Sequence, residues 1–299
     1  LDVDLLRLRY VHAQSTLPFK DSLYLRSLKN IITGNQGQPA ADQARYMEAE
    51  WYRNRFSEDP ENPVNHLLTA RSICEEVLLR RDSSEGRENC RRLLEELREK
   101  KLSLTAEKVN LPRQPFRMLA TYKNITETYI RIIPVDDRLR EAYFSREPPP
   151  DALRRAMAAT APLRSYRQAL PGMDDLKEHR VELGIEGLPP GLYVILSSLR
   201  PDFADSGNIL CMLPVHISSL SWINVNEHYY ALHRETGTPL PGAEAEVWYQ
   251  PAVNPGETPV FSRGPRYIAD SLGHFTIQLP GLESYLPIKI DLRWKGDRL

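Results

Sequence analysis

The spacing of apolar positions changes twice along the chain. Over residues 1 to about 101, Leu25, Leu28 and Ile32 form one helical stripe, and Ala44, Met47 and Trp51 form a second. Leu67, Ala70, Cys74 and Leu78 form a third, and Cys90, Leu93, Leu94 and Leu97 a fourth. Breaks at Gly34–Pro39, Asp59–Pro63 and Asp82–Gly86 divide this stretch into helix pairs joined by short polar turns. That arrangement predicts a tetratricopeptide-like solenoid without a clean repeat period. From Leu102 the pattern alternates, beginning with LSLTAEKV, and Phe116, Met118, Ala120 and Tyr122 share a face. Thr128–Val135 and Gly191–Ser198 continue the strand series. A polar, proline-rich and partly helical excursion over about 136–175 interrupts it. REPPPD at its centre excludes regular structure, because each proline fixes φ and removes a donor.

The second change lies near Asn224–Glu227. Beyond it, Tyr229–His233 and Ala243–Trp248 flank a GTPLPG turn that neither helix nor continuous strand can cross. Arg266–Asp270, His274–Leu279 and Leu286–Trp294 also read as strands. In the last, Ile288, Ile290, Leu292 and Trp294 line one face and Lys289, Asp291 and Arg293 the other. The fold class is therefore an α+β multidomain chain, with an α-helical region followed by two antiparallel β-sandwiches. The divisions fall at 1–101, 102–225 with the excursion inserted, and 226–299. Phe116, Met118, Tyr193 and Ile195 are core candidates for the first sandwich, and Trp248, Tyr267, Phe275 and Trp294 for the second.

At 299 residues there is room for two or three domains, each with its own core. Lys and Arg total 39 against 40 Asp and Glu, so no global field argues for nucleic acid or an acidic substrate. No apolar run is long enough to span a bilayer. The chain opens at LDVDLLRLRY without Met or signal peptide and stops at RWKGDRL just after a strand, which reads as a piece of a longer protein.

Cys74 and Cys90 sit eight residues either side of Asp82, at matching heights in a predicted helix hairpin. A disulfide between them is geometrically allowed and would imply an oxidising compartment. Two reduced, buried thiols are the other reading. Cys211, in NILCMLPVHI, reads as a core strand residue. The seven histidines are scattered, and His228 and His233 fall on opposite faces of one strand, poor for a shared metal. HExxH, paired CxxC, a glycine-rich phosphate loop and GxSxG are all missing. Asp136–Asp137 and Asp174–Asp175 read as solvated loop acids, and Arg80–Arg81 and Arg91–Arg92 as the wet face of a helix hairpin. No cofactor, metal or catalytic residue is expected, and the chain is not read as an enzyme.

The phrases LSLTAEKVNLPRQPFRMLATYKNITETYIRIIPV, LPPGLYVIL, HRETGTPLPGAEAEVW, SLGHFTIQLP and IKIDLRWKGDRL, following helical repeats, resemble the N-terminal part of a bacterial alpha-2-macroglobulin-family protein of Bacteroidetes type. The resemblance covers about 200 residues on the C-terminal side. It implies consecutive macroglobulin domains, sandwiches of fibronectin-III type, and a protease-trapping inhibitor. It also implies an exported protein of the periplasm or cell envelope, held at a membrane only through a lipid anchor outside this stretch. Partners would be target proteases, through the full-length protein, and other domains of the parent chain, with no nucleic acid. Many members carry a CxEQ thioester. Here Cys74 is followed by Glu75, Glu76 and Val77, Cys90 by RRL and Cys211 by MLP, so this segment is expected to be scaffold. The competing reading is a cell-envelope binding or adhesion module, with a helical groove and variable sandwich loops. An enzyme with a split site in the excursion is a third.

Overall fold

A computed structural model describes residues 2–61, 64–79, 83–145, 151–204, 207–250, 260–278 and 287–299. Arg80–Arg81, most of REPPPD, Leu279 and Leu286 lie outside them. The chain forms two compact units. One comprises Leu1–Lys101 with Tyr122–Ile125 and Gly172–His179, and the other comprises the remainder.

The first unit holds helices α1 (Asp2–Gln14), α2 (Lys20–Gly34), α3 (Pro39–Glu58), α4 (His66–Leu78) and α5 (Glu85–Arg98). Their starts follow local chemistry. Pro39 opens α3, where its missing N–H costs nothing. Asn65 and Ser84 cap α4 and α5 by accepting from the amides of Leu67 and Arg87. The buried stripes run one position off expectation in two helices: Tyr24 joins Leu28 on α2, and Val77 rather than Leu78 closes the stripe on α4. One cluster gathers Leu5, Tyr24, Leu28, Ala44 and Met47, and another gathers Leu67, Ala70, Cys74, Val77, Cys90, Leu93, Leu94 and Leu97. Asn124 donates to the carbonyls of Leu97 and Glu99, both at 2.9 Å, and so serves the C-terminal end of α5. Of the loop acids expected in solvent, Asp174 is exposed and Asp175 half-buried, and both have partners. Asp174 pairs with Arg71 at 2.7 Å, and Asp175 lies 2.8 Å from His179 Nε2.

The second unit begins with β1 (Lys101–Ala106), β2 (Val109–Asn110), β3 (Phe116–Lys123) and β4 (Glu127–Pro134). Then come α6 (Asp137–Ser145), α7 (Asp151–Ala159), β5 (Arg164–Ala169), β6 (Glu178–Ile185), β7 (Gly191–Ser198) and β8 (Leu210–Ile217). The strands form a three-stranded sheet β1-β3-β6 and a five-stranded sheet β2-β8-β7-β4-β5. The excursion is therefore not wholly outside the sheet, since β5 within it pairs antiparallel with β4. Its two helices cover one face of the larger sheet, where Met157 packs with Ile133, Val194, Leu196 and Phe203. That cover explains why β7 is buried almost throughout and reads as an unbroken apolar run rather than an alternating one. Cys211 is only half-buried, and its thiol donates to the Leu102 carbonyl at 3.0 Å.

The remaining strands are β9 (Leu220–Val225), β10 (His228–His233), β11 (Glu244–Tyr249), β12 (Ser262–Ile268), β13 (His274–Thr276), β14 (Ile288–Trp294) and β15 (Asp297–Arg298). They form sheets β13-β10-β9 and β12-β11-β14-β15. Leu220, Tyr229, Ala231 and Phe275 from the first meet Ala245, Val247, Ile290 and Leu292 from the second in one core. Tyr267 and Trp294 pack at its margin. Trp248 is not part of it. It lies on the opposite face of β11 with Phe261, because Val247 already takes the inward position and neighbours alternate.

Candidate functional site

Period-two alternation sends Ala245 and Val247 inward from β11 and Ile290 and Leu292 inward from β14. Glu246 and Asp291 therefore share the outer face, and the register sets them directly opposite one another. Two adjacent carboxylates would repel, and both are buried, Glu246 at 3% exposure and Asp291 at 2%. The fold answers with guanidinium groups.

Arg266, opposite Glu246 on β12, donates its Nε to Glu246 Oε1 at 2.8 Å. Arg298 on β15 gives Nε to Asp291 Oδ1 at 2.7 Å and Nη2 to Oδ2 at 2.5 Å, a forked pair. Its Nη1 reaches Asp137 Oδ1 at 2.5 Å. Arg293 places Nη2 between the two, 3.2 Å from Asp291 Oδ2 and 3.5 Å from Glu246 Oε2. Arg263 lies 3.6 Å from Glu246 and 3.4 Å from Glu141, with its guanidinium 5.1 Å above the Trp248 ring. The fifth arginine, Arg140, comes from α6, and its Nη2 donates to Asp291 Oδ1 at 3.3 Å. Helix α6 is started by Asp136, whose Oδ1 accepts from the Leu139 amide, so Arg140 projects from the first turn. A cavity of about 170 Å³, lined by these arginines with Asp137, Glu141, Trp248 and Asp291, opens on this face.

Electrostatics favour the charged forms of Asp291 and Arg298 and leave Arg140 charged. Burial works to raise the Asp291 carboxyl, but the Arg298 hydrogen bonds and the Arg140 charge outweigh it and hold it below the usual carboxylate range. Burial pushes Arg140 down to about 10, which leaves it protonated at neutral pH. Hydrogen bonding to Asp291 raises Arg298. Nearby, burial and then the Arg140 charge drive His216 down to about 4, so it is neutral there. Carboxylates engaged by guanidinium groups make poor nucleophiles and poor general bases. The arrangement can hold elements together and recognise anions.

The sequence-predicted residues lie elsewhere. Cys74 and Cys90 are both fully buried in one helical core, with unbonded thiols. A hydrogen bond between them, and then burial, push the Cys90 thiol far up. Sequence reasoning did not find the arginine cavity. The one signal for it was the polar face of Leu286–Trp294, which carries Asp291 and Arg293. It also missed a histidine pair across β10 and β13, where His228 Nδ1 lies 3.0 Å from His274 Nε2. Arg91 and Arg92 do sit on a wet face, paired with Glu88. Among the described residues no group of three or more His, Cys, Asp or Glu side chains is arranged to hold a metal ion. No helix among them is long and apolar enough to cross a membrane.

No family model matches the chain. No curated protein matches it either. Among solved structures it is similar to native alpha-2-macroglobulin from Escherichia coli spanning domains NIE-MG1, with 14% identity and a TM-score of 0.42 over 67% of this chain and 95% of that one. A crystal structure of the same protein spanning MG0-NIE-MG1 matches at 14% identity and a TM-score of 0.44, over 66% and 62%. Salmonella alpha-2-macroglobulin reacted with methylamine matches at 11% identity and a TM-score of 0.25, over 66% of this chain and 16% of that one. Likenesses at these levels leave the function to be argued from the residues.

Proposed function

We propose that this chain is a scaffold segment of an alpha-2-macroglobulin-like protease-trapping inhibitor of Bacteroidetes type, exported to the periplasm or cell envelope and itself non-catalytic. In this reading the strands from β1 to β8 and those from β9 onward form successive macroglobulin-like sandwiches, with β9 beginning at Leu220 rather than after Val225, and residues 1–101 are a tetratricopeptide-like entry to them. The observation that carries it is the buried contact between Arg140, on the helical excursion of one sandwich, and Asp291, on the sheet of the next. It joins the two sandwiches through a buried ion network, which suits a segment that bears load rather than one that turns over substrate. The phrases around LPPGLYVIL and ETGTPLPGAEAEVW support the same assignment. An exported chain meets disulfide oxidants, and Cys74 and Cys90 would then close a bridge by passing two protons and two electrons to such an oxidant.

The test is incubation of the full-length parent with a panel of endoproteases. Trapping leaves a protease active on small peptides and inactive on large proteins, after one cut in the parent outside this segment. Proteases that cleave the parent yet keep full activity on large substrates would overturn the reading.

A second reading, an envelope binding or adhesion module, is favoured by the outer face of α1. There Val3, Leu6 and Tyr10 are 65%, 66% and 68% exposed while Leu5 faces the core. In that case Leu6→Asp with Tyr10→Asp abolishes envelope association and leaves any protease trapping untouched.

A further inference from the structure

We propose that the arginine-lined cavity on the outer face of β11 and β14 is a receptor for a phosphate group, as hydrogen phosphate or a phosphate monoester. The proposal is independent of the protease-trapping reading, and either can fail alone.

Donors exceed acceptors at this site. Five guanidiniums line the cavity, Arg140, Arg263, Arg266, Arg293 and Arg298. The carboxylates around them are Asp137, Glu141, Glu246 and Asp291, with Glu244 opposite Arg293 on the same face, so the formal charges balance while guanidinium N–H groups remain uncommitted. Each guanidinium is a planar fork of N–H donors with no acceptor, matched in shape to phosphate oxygens. Three forks are only partly used. Arg293 Nε is buried without a hydrogen-bond partner. Arg263 meets its carboxylates at 3.4 and 3.6 Å, longer than a forked pair. Arg266 commits its Nε to Glu246 and is otherwise 61% exposed. A buried donor left unpaired is costly, and an oxyanion would satisfy these groups at once.

The size and the acceptors narrow the ligand. About 170 Å³ admits a phosphate group with a small substituent and not a folded partner's surface. Asp137 and Glu141 stand in the lining as exposed acceptors. Sulfate has no proton and would be repelled by them. Hydrogen phosphate carries an O–H that can donate to a carboxylate while its other oxygens accept from the arginines, and a monoester does so in its monoanionic form. Asp291, buried and bonded to the buried Arg140 and the half-buried Arg298, forms the fixed floor, so the rim arginines need not reorganise it.

The experiment uses the full chain with inorganic phosphate as probe, against sulfate and chloride at matched ionic strength. Calorimetric titration and phosphorus NMR report binding, and thermal melts report linkage. Phosphate is expected to bind with a dissociation constant below about 1 mM and to raise the midpoint by several degrees at about 10 mM. Sulfate is expected to bind at least about tenfold more weakly. Arg263→Gln with Arg266→Gln, at exposed positions, should lose at least about tenfold, while Arg117→Gln, which breaks an exposed pair elsewhere, should change nothing. Absence of phosphate binding below about 10 mM, equal binding of sulfate, or an undiminished double variant would each overturn the proposal. The wild-type phosphate and sulfate arms decide it alone if the double variant does not fold.

Discussion

Arg140 and Asp291 lie 151 positions apart, and their side chains meet at 3.3 Å with 5% and 2% exposure. One sits on α6, between β4 and β5 of the five-stranded sheet in chain order, and the other on β14, an inner strand of the four-stranded sheet. The pair is the deepest contact of a network whose remaining arginines reach solvent.

Removing one partner of a buried ion pair leaves the other charge stranded, which typically costs 3–5 kcal/mol. Arg298 and Arg293 still bond Asp291, so Arg140→Met should cost about 3 kcal/mol, the lower end of that range. Arg140→Lys should recover only part, because an ammonium cannot fork. Urea unfolding of the full chain, followed through the transition of the β unit, checks both. A loss below about 1 kcal/mol would mean that the pair does not hold the two sandwiches together.

His216 gives the pH dependence. Its imidazole titrates at 6.5 when unfolded and at about 4 in the fold, through burial and the Arg140 charge. Between those values the unfolded chain holds more protons, so stability is complete above pH 6.5 and falls as the pH drops toward 4. The loss amounts to about 3 kcal/mol. Asp291, held low, keeps its own contribution until the pH falls below the carboxylate range, so the two windows separate. His216→Gln should flatten the slope of unfolding free energy between pH 7 and 4. An unchanged slope in the variant would assign it to other groups.

Gly86 opens α5 against the start of α3. An added Cβ would lie 2.2 Å from the Gln43 nitrogen and 2.3 Å from the Asp42 carbonyl carbon, both backbone atoms that cannot swing aside. Gly86→Ala should therefore destabilise the helical unit by about 3 kcal/mol, the upper range for overpacking. Gly34→Ala, with open space around it, should be nearly neutral or slightly stabilising. Thermal melts of the two variants side by side test the contrast.

For the cysteines, protein secreted through an oxidising compartment should be lighter by two hydrogens and label at one thiol, Cys211. Digestion should yield a peptide linking Cys74 to Cys90. Three alkylatable thiols in such a preparation would show that the pair stays reduced. Closing a loop of about fifteen residues should add about 3 kcal/mol over the reduced form.

Much of the architecture was legible as periodicity. The stripes Leu67–Ala70–Cys74 and Cys90–Leu93–Leu94–Leu97 bury as read, and strand β7 spans the residues Gly191–Ser198 that the pattern marked. β5 and β6 were missed, because their burial is shallow and their polar positions outnumber the apolar ones. Trp248 was misassigned because size argued for the core while alternation placed it outside. The acid pairs read as solvated stay largely in solvent, and what the sequence did not show was their ion-pair partners. Asp137, Asp174 and Asp175 find their partners Arg298, Arg71 and His179 through folding, and only His179 is near in sequence.

By itself the sequence determined what local forces determine: helices in the first hundred residues, strands after them, the turn at GTPLPG, and the two faces of Ile288–Trp294. It could not say what covers each face. The polar face of β14 looks like a solvent face in the sequence, because Lys289, Asp291 and Arg293 alternate with apolar residues. Tertiary structure made it an ion-lined cavity by setting Glu246 beside Asp291 across a strand and bringing Arg140 from a helix 151 residues away. Coulomb attraction in a buried site acts between groups that only the finished fold brings within reach, so its sites leave little trace in the spacing of residues along the chain.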